Sequence, residues 1–124
     1  MTNEEFNESF RNRTKTFAIE IIKFLETVPY NSATRVMSFQ LGKAGTSVGA
    51  NFRAFCRSRS NKERFAKICI VVEEADETSF WLDLFSGTNY GDKNCLVHLI
   101  AEGIEILKIS SSIKNSMYKY LENT

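Results

Sequence analysis

Apolar side chains recur at the spacing of an α-helix along most of this chain, and one proline and six glycines leave few breaks in 124 residues. The first segment carries the pattern at intervals of three or four residues, with Arg13 in its one gap: Phe6, Phe10, Phe17, Ile21, Phe24 and Val28. This spacing predicts an amphipathic helix. An all-β chain needs frequent turn residues, so the scarcity of breaks argues against that class.

Turn and cap residues divide the pattern into four helices within one domain, 1–124. The predicted helices are 4–28, 32–57, 61–86 and 92–121. Pro29 ends the first helix, because the residue before a proline is pushed out of the α region. Asn31 or Ser32 caps the second helix, Ser60 opens the third in a capping-box pattern, and Asp92 caps the fourth.

The connections between these helices are short, which favours antiparallel neighbours. The expected fold is therefore an all-α, antiparallel, up-down-up-down four-helix bundle. Gly42, Gly45 and Gly49 lie within eight positions of the second helix. Each costs about 1 kcal/mol of helix stability relative to alanine. They predict close approach of another helix, from this chain or another subunit, and the alternative is a kinked helix.

The composition of the chain bears on which partners it can bind and in which cellular compartment it works. Sixteen basic and fifteen acidic residues leave a formal net charge of +1, which by itself indicates no nucleic acid, membrane or acidic substrate. The three cysteines form no C-x-x-C pair, which favours free thiols in a reducing cytoplasm. Residues 1–13 are polar and mixed in charge, which is not the pattern of a signal peptide. No apolar run is long enough to span a membrane. We expect a cytoplasmic protein without a membrane contact.

The acidic residues of the third helix raise the question of catalysis or metal binding. A di-metal bundle needs Glu-x-x-His motifs on two helices, but the only histidine is His98, and Cys95 stands three positions before it. No nucleophile–base pair is visible either. The sequence predicts no catalytic residue, no cofactor and no metal site, and hence a non-enzymatic protein. A partly buried salt-bridge set is the preferred interpretation of the acidic run.

A basic cluster spans the end of the second helix, the turn and the start of the third. Residues 53–67 contain six basic residues and one acidic residue, Glu63. The six candidate nucleic-acid-binding residues are Arg53, Arg57, Arg59, Lys62, Arg64 and Lys67. Such a cluster binds phosphates by forked hydrogen bonds and counterion release. The alternative is a solvated corner whose charges pair within the bundle.

Polar residues also lie beside the apolar face of the second helix. Gln40, Ser47 and Asn51 share one flank, and buried polar groups need partners. Glu74 and Glu77 of the third helix are the expected partners across the bundle, in a structural network that fixes helix pairing.

The third helix has more apolar surface than one stripe requires. Ile70, Trp81, Leu84 and Phe85 lie largely outside its main stripe. A lone bundle does not need this second strip, so Ile70, Trp81 and Leu84 predict an interface between subunits of a homo-oligomer.

The central motifs resemble those of the 23S rRNA intervening-sequence protein family. The run Gln40 to Arg53 is similar to the signature that opens the second helix there. The similarity continues through Arg57-Ser58-Arg59-Ser60, Lys62-Glu63 and Phe65, then Glu73 to Thr78 and Trp81-Leu82, and more loosely Glu102 and Leu107-Lys108-Ile109. It covers roughly residues 15–118. The sequence departs at Gly42-Lys43, where many relatives have larger or more basic residues.

This resemblance implies a left-handed four-helix bundle that assembles into a ring of five subunits. It also implies a basic surface, since related accessory factors of diversity-generating retroelements present one to nucleic acid or a reverse transcriptase. The leading expectation is a homo-oligomer that binds RNA or DNA through its basic corner. The alternative is a scaffold or accessory subunit that binds another protein and no nucleic acid.

Overall fold

The computed structural model describes residues 1–122, so positions 123 and 124 of the predicted domain lie outside it. Four helices make up the structure: α1 Asn3–Leu25, α2 Ser32–Cys56, α3 Asn61–Thr88 and α4 Lys93–Glu122. Residues 1–122 contain no strand. The predicted all-α four-helix bundle is confirmed.

Each helix packs against two neighbours. Helices α1 and α3 both contact α2 and α4, and within the described residues the diagonal pairs do not approach each other. On α2, Gly49 lies against Thr14 of α1 and Gly42 lies against Leu25, so these two helices run in opposite directions. The connections 26–31, 57–60 and 89–92 are short. This arrangement is consistent with the predicted up-down-up-down order, and the left-handed sense stays a prediction.

Each helix begins with a side-chain cap. The side chains of Thr2, Asn31, Ser60 and Asp92 each accept a hydrogen bond from the backbone N–H three residues later, at 2.9–3.1 Å. This satisfies one of the free N–H groups of the first turn. The predicted caps of α2, α3 and α4 are confirmed, with Asn31 as the cap of α2, while the cap of α1 was not predicted.

Helix α1 ends at Leu25, three residues earlier than predicted. Before Pro29 the chain tightens into a turn, in which the Thr27 N–H donates to Phe24 O and the Val28 N–H donates to Leu25 O. The Thr27 hydroxyl also donates to Phe24 O at 2.6 Å. The effect of Pro29 therefore reaches beyond its immediate neighbour, because Val28 cannot stay helical and the last turn reorganises.

Helix α3 ends two residues later than predicted. It continues through Gly87 to Thr88, and the residue that follows it, Asn89, has a left-handed φ of 60°. Asparagine tolerates this conformation better than most residues, and it takes the place usually held by glycine after a helix.

The apolar stripes of all four helices meet in one core. Two edge-to-face aromatic pairs hold it, Phe10 with Phe52 at 4.8 Å between ring centroids and Phe24 with Phe85 at 5.2 Å. The largest fully buried side chains are Phe17, Phe24, Phe52, Phe85, Ile21, Leu41, Ile68, Leu82, Leu99, Ile106, Val48 and Val71. Burial of each contributes about 1.5–3 kcal/mol of transfer free energy.

The glycines of α2 bring its backbone close to α1 of the same chain. A Cβ atom at Gly49 would lie 3.3 Å from the carbonyl oxygen of Thr14. Gly45 is buried against Ile21, and α2 is one continuous helix from Ser32 to Cys56. The predicted close approach is therefore found inside the bundle.

Candidate nucleic-acid interface

The end of α2, the connection 57–60 and the start of α3 carry the six predicted basic residues. We call them the basic corner: Arg53, Arg57, Arg59, Lys62, Arg64 and Lys67. The first four have exposed side chains, whereas Arg64 and Lys67 are half-buried. The structure thus brings the cluster to one end of the bundle and divides it into four available cations and two less available ones.

Arg64 has partners that explain its partial burial. One guanidinium nitrogen donates to Asn61 Oδ1 at 2.6 Å, and another lies 3.4 Å from the carbonyl oxygen of Ser58. These contacts bind the first turn of α3 to the connection before it. Arg64 therefore serves the fold of the corner, which reduces what it can offer to a ligand.

The cations of the basic corner are not neutralised by the bundle. Within residues 1–122, no carboxylate lies within 4.0 Å of a basic nitrogen of any of the six. The two ion pairs of the described chain are elsewhere, Arg13 with Glu102 and His98 with Glu20. The ion pairs of the alternative interpretation, a solvated corner whose charges pair within the bundle, are therefore not found, while a solvated corner without a ligand stays open.

Helix α1 adds two cations that the sequence pattern does not assign to this surface. Arg11 and Lys15 lie one helical turn apart and face Arg53 and Arg57 of α2 across an open groove of about 500 Å³. We call it the α1–α2 groove. It is lined by Arg11, Asn12, Lys15, Ala18, Thr46, Gly49, Ala50, Arg53 and Arg57.

Small residues shape this groove. Gly49 sets the close contact with Thr14 at its base, and Ala18 and Ala50 leave space above that contact. No acidic side chain is among the lining residues. The groove is therefore an open, positively charged channel with basic side chains on both walls.

A neutral thiol lies near one end of the groove. Burial raises the pKa of Cys56, and the Arg11 guanidinium acts on that pKa in the opposite direction. The cysteines Cys56, Cys69 and Cys95 all lie within the described residues and are free.

The predicted polar network is only partly brought together. Asn51 Nδ2 donates to the backbone oxygen of Ser47 at 2.9 Å, which is a bond within α2. Glu77 is exposed, and its Oε1 lies 3.4 Å from Trp81 Nε1 within α3. Among the hydrogen bonds of residues 1–122, none joins Gln40, Ser47 or Asn51 to the two glutamates.

Electrostatics nevertheless connect the two helices at Glu74. Burial, followed by repulsion from Glu77, raises the pKa of Glu74, while Lys43 of α2 lowers it. Lys43 thus attracts Glu74 from a distance, but within residues 1–122 no basic nitrogen lies within 4.0 Å of a carboxylate of α3. The predicted salt-bridge set of the acidic run is therefore not found.

The predicted oligomer interface also needs a closer description. Phe85, predicted to lie outside the main stripe, is instead fully buried in the core. Trp81 is half-buried against the core, and Ile70 is half-buried as well. Leu84 is 37% exposed, and its neighbour Phe80, which was not predicted, is 54% exposed. The apolar surface available to a partner is thus centred on Phe80 and Leu84 more than on Ile70 and Trp81.

The start of α2 extends this surface. Val36 and Phe39 are both more than half exposed, and antiparallel packing places the start of α2 beside the end of α3. The attraction between Lys43 and Glu74 fits this register. We call Val36, Phe39, Phe80 and Leu84 the α2–α3 apolar patch.

The fold and its surface define an all-α four-helix bundle with a basic groove between its first two helices. The chain belongs to the 23S rRNA-intervening sequence protein family, whose model matches residues 8–112. None of the curated proteins matches it.

A solved structure supports the family assignment. It is a protein of unknown function from the S23 ribosomal protein family of Bacteroides thetaiotaomicron, and it is 30% identical to this chain with a TM-score of 0.77. The match covers 85% of this chain and 97% of that one.

Neither comparison points to an enzymatic activity. In the part of the chain that the structure describes, no three His, Cys, Asp or Glu side chains are grouped to hold a metal ion. None of the helices in residues 1–122 has the length and apolar character needed to cross a membrane.

Proposed function

We propose that this chain is a non-enzymatic, cytoplasmic, self-associating bundle that binds nucleic acid, RNA first of all, through its basic corner. The supporting observation is that Arg53, Arg57, Arg59 and Lys62 are exposed and lack an ion pair within residues 1–122. Unpaired cations gather counterions in solution, and a phosphate backbone that displaces those counterions gains free energy from their release.

Self-association strengthens this proposal. A single corner offers few cations, which supports weak and salt-sensitive binding. In an oligomer, the five-subunit ring that the resemblance implies, the corner is repeated about the axis. Several weak contacts on one polymer then act together with a high effective concentration.

A gel-shift assay with a structured RNA tests the proposal at low and at physiological salt. The double variant Arg57→Glu and Arg59→Glu is expected to weaken binding by tenfold or more at low salt, because both changes remove attraction and add repulsion. The control carries Lys23→Glu and Arg35→Glu, which changes the net charge equally at exposed sites away from the corner. Failure of the wild-type protein to bind at low salt contradicts the proposal.

A second candidate function is a protein-binding scaffold. The observation that favours it is the α2–α3 apolar patch, because Phe39 and Phe80 are 65% and 54% exposed. Large exposed aromatic side chains often mark a protein interface. The near-neutral net charge also suits a protein partner.

Purification from the native host separates the two candidates. A nucleic-acid-binding protein is expected to lose its bound material on nuclease treatment. A scaffold is expected to retain a stoichiometric protein partner after the same treatment.

A further inference from the structure

The α1–α2 groove has a composition that suits one form of nucleic acid. We propose that it holds the phosphate backbone of a double-stranded nucleic acid, without regard to base sequence. The inference rests on the proposed function and specifies which surface is used and which form of ligand it takes.

The charges of the groove are arranged for a polyanion. Arg11 and Lys15 stand on one wall and Arg53 and Arg57 on the other, each pair one turn apart, or about 6 Å along its helix. All four side chains are exposed, and none of them forms an ion pair within the described residues. Arginine presents a planar fork of donors that matches a phosphate.

The groove offers little for reading bases. Asn12 and Thr46 are its only uncharged polar side chains. The Thr46 hydroxyl already donates to the Gly42 carbonyl oxygen at 2.7 Å, so Asn12 alone has free donors for a base edge. Contacts to phosphate fix position but carry no sequence information. Binding there is therefore expected to be independent of sequence.

Because no aromatic side chain lines the groove, it is expected to prefer a duplex to a single strand. Surfaces that bind single strands combine positive charge with aromatic rings on which unpaired bases stack. The lining residues of this groove are basic, small or polar. Its alanines and glycine leave space for a backbone to sit between the two rows of cations, while the bases of a duplex stay paired.

The test compares charge removal and steric blocking. Arg11→Gln with Lys15→Gln removes two cations that lie outside the basic corner. The slope of log K against the logarithm of the salt concentration is therefore expected to become shallower by about 2. Ala50→Leu keeps the net charge and fills the groove from an exposed helical position. It is expected to weaken duplex binding by on the order of tenfold, because the backbone can no longer reach both rows of cations.

Matched controls lie on the same scaffold. Arg53→Gln is compared with Arg35→Gln, since both arginines are exposed and lie on the same face of α2, five turns or about 27 Å apart. Ala50→Leu is compared with Ala101→Leu at an exposed position of α4. Thermal unfolding by circular dichroism confirms that each variant folds.

The probes are a short RNA duplex, a DNA duplex of the same sequence, a second duplex with shuffled sequence, and one single strand. Equal affinity for the original and the shuffled duplex supports recognition of the backbone. The affinities for the RNA and the DNA duplex show which of the two is preferred. Failure of the wild type to bind any probe at low salt contradicts the proposed function and this inference together.

Two results overturn the groove alone. In the first, the charge reversals at Arg57 and Arg59 weaken duplex binding. Ala50→Leu, and the variant that carries both Arg11→Gln and Lys15→Gln, bind the duplex as tightly as the wild type. The second is tighter binding of the single strand than of either duplex at the same salt.

Discussion

Arg13 of α1 binds Glu102 of α4 through two parallel hydrogen bonds, 2.8 Å from Nε to Oε2 and 2.7 Å from Nη2 to Oε1. Arg13 occupies the gap in the apolar seam of α1 between Phe10 and Phe17. The α1–α4 contact is the least extensive of the four between neighbouring helices. The forked ion pair therefore fixes the two helices where apolar packing contributes least.

A double-mutant cycle with Arg13→Gln and Glu102→Gln measures this pair. The expected coupling free energy is about 1 kcal/mol at neutral pH, because the geometry is bidentate but Arg13 is 39% exposed. Urea unfolding of the four proteins at one protein concentration provides the measurement. A coupling of zero contradicts the assigned role.

The same cycle has a defined pH dependence. The hydrogen bonds from Arg13 lower the pKa of Glu102. A carboxylate whose pKa is lowered by folding contributes stability above its unfolded pKa, and this contribution is lost as the pH falls through the folded pKa. The coupling is therefore expected to be constant near neutrality and to disappear in strong acid. A coupling that grows on acidification would have the wrong sign.

Two glycines of α2, two turns apart, are expected to respond in opposite ways to alanine. At Gly49 the new Cβ meets the Thr14 backbone oxygen at 3.3 Å, so α1 and α2 must separate, at a cost of about 1–3 kcal/mol. At Gly42 the nearest atom is Leu25 Cδ1 at 3.4 Å, an ordinary contact. Gly42→Ala is thus expected to stabilise the helix by up to about 1 kcal/mol. Thermal unfolding compares the two, and equal effects contradict the close approach at Gly49.

The helices were predictable because their signals are local. Apolar spacing and caps such as Ser60 and Asp92 lie within a few residues of the structure they determine. The end of α1 was wrong by three residues because the turn before Pro29 depends on where backbone hydrogen bonds re-form. Spacing alone does not contain that information.

The groove was not predictable from local signals, because its walls come from positions about forty residues apart. Arg53 and Arg57 were recognised within a dense cluster, but Arg11 and Lys15 are an ordinary basic pair on the polar face of α1. Their place on the wall of the groove depends on the register of α1 against α2, which the contact between Gly49 and Thr14 fixes. The i, i+4 spacing of the α1 pair was the one available signal.

The proposed self-association is tested at the α2–α3 apolar patch by a matched pair of variants. Phe80→Glu is expected to convert the oligomer to monomer, because it places a charge in a desolvated interface. The control Val97→Glu changes a residue of α4 that is 68% exposed and lies outside the patch. Light scattering after size-exclusion chromatography at micromolar concentration measures both. A monomeric wild type, or an equal response of the two variants, contradicts the assignment.

Glu74 provides a stability prediction of opposite sign to Glu102. Burial and Glu77 raise its pKa, so folding favours its protonated form. Such a group contributes stability below its unfolded pKa and loses it as the pH rises through the folded pKa.

Glu74→Gln mimics the protonated form and is expected to stabilise the protein at neutral pH by less than about 1 kcal/mol, since solvent screens a partly exposed carboxylate. The gain should vanish in acid, where the wild type is protonated too. Asp83→Asn, which removes the same charge at another exposed position of α3, is the control. Destabilisation by Glu74→Gln at neutral pH would instead mean that attraction to Lys43 outweighs burial.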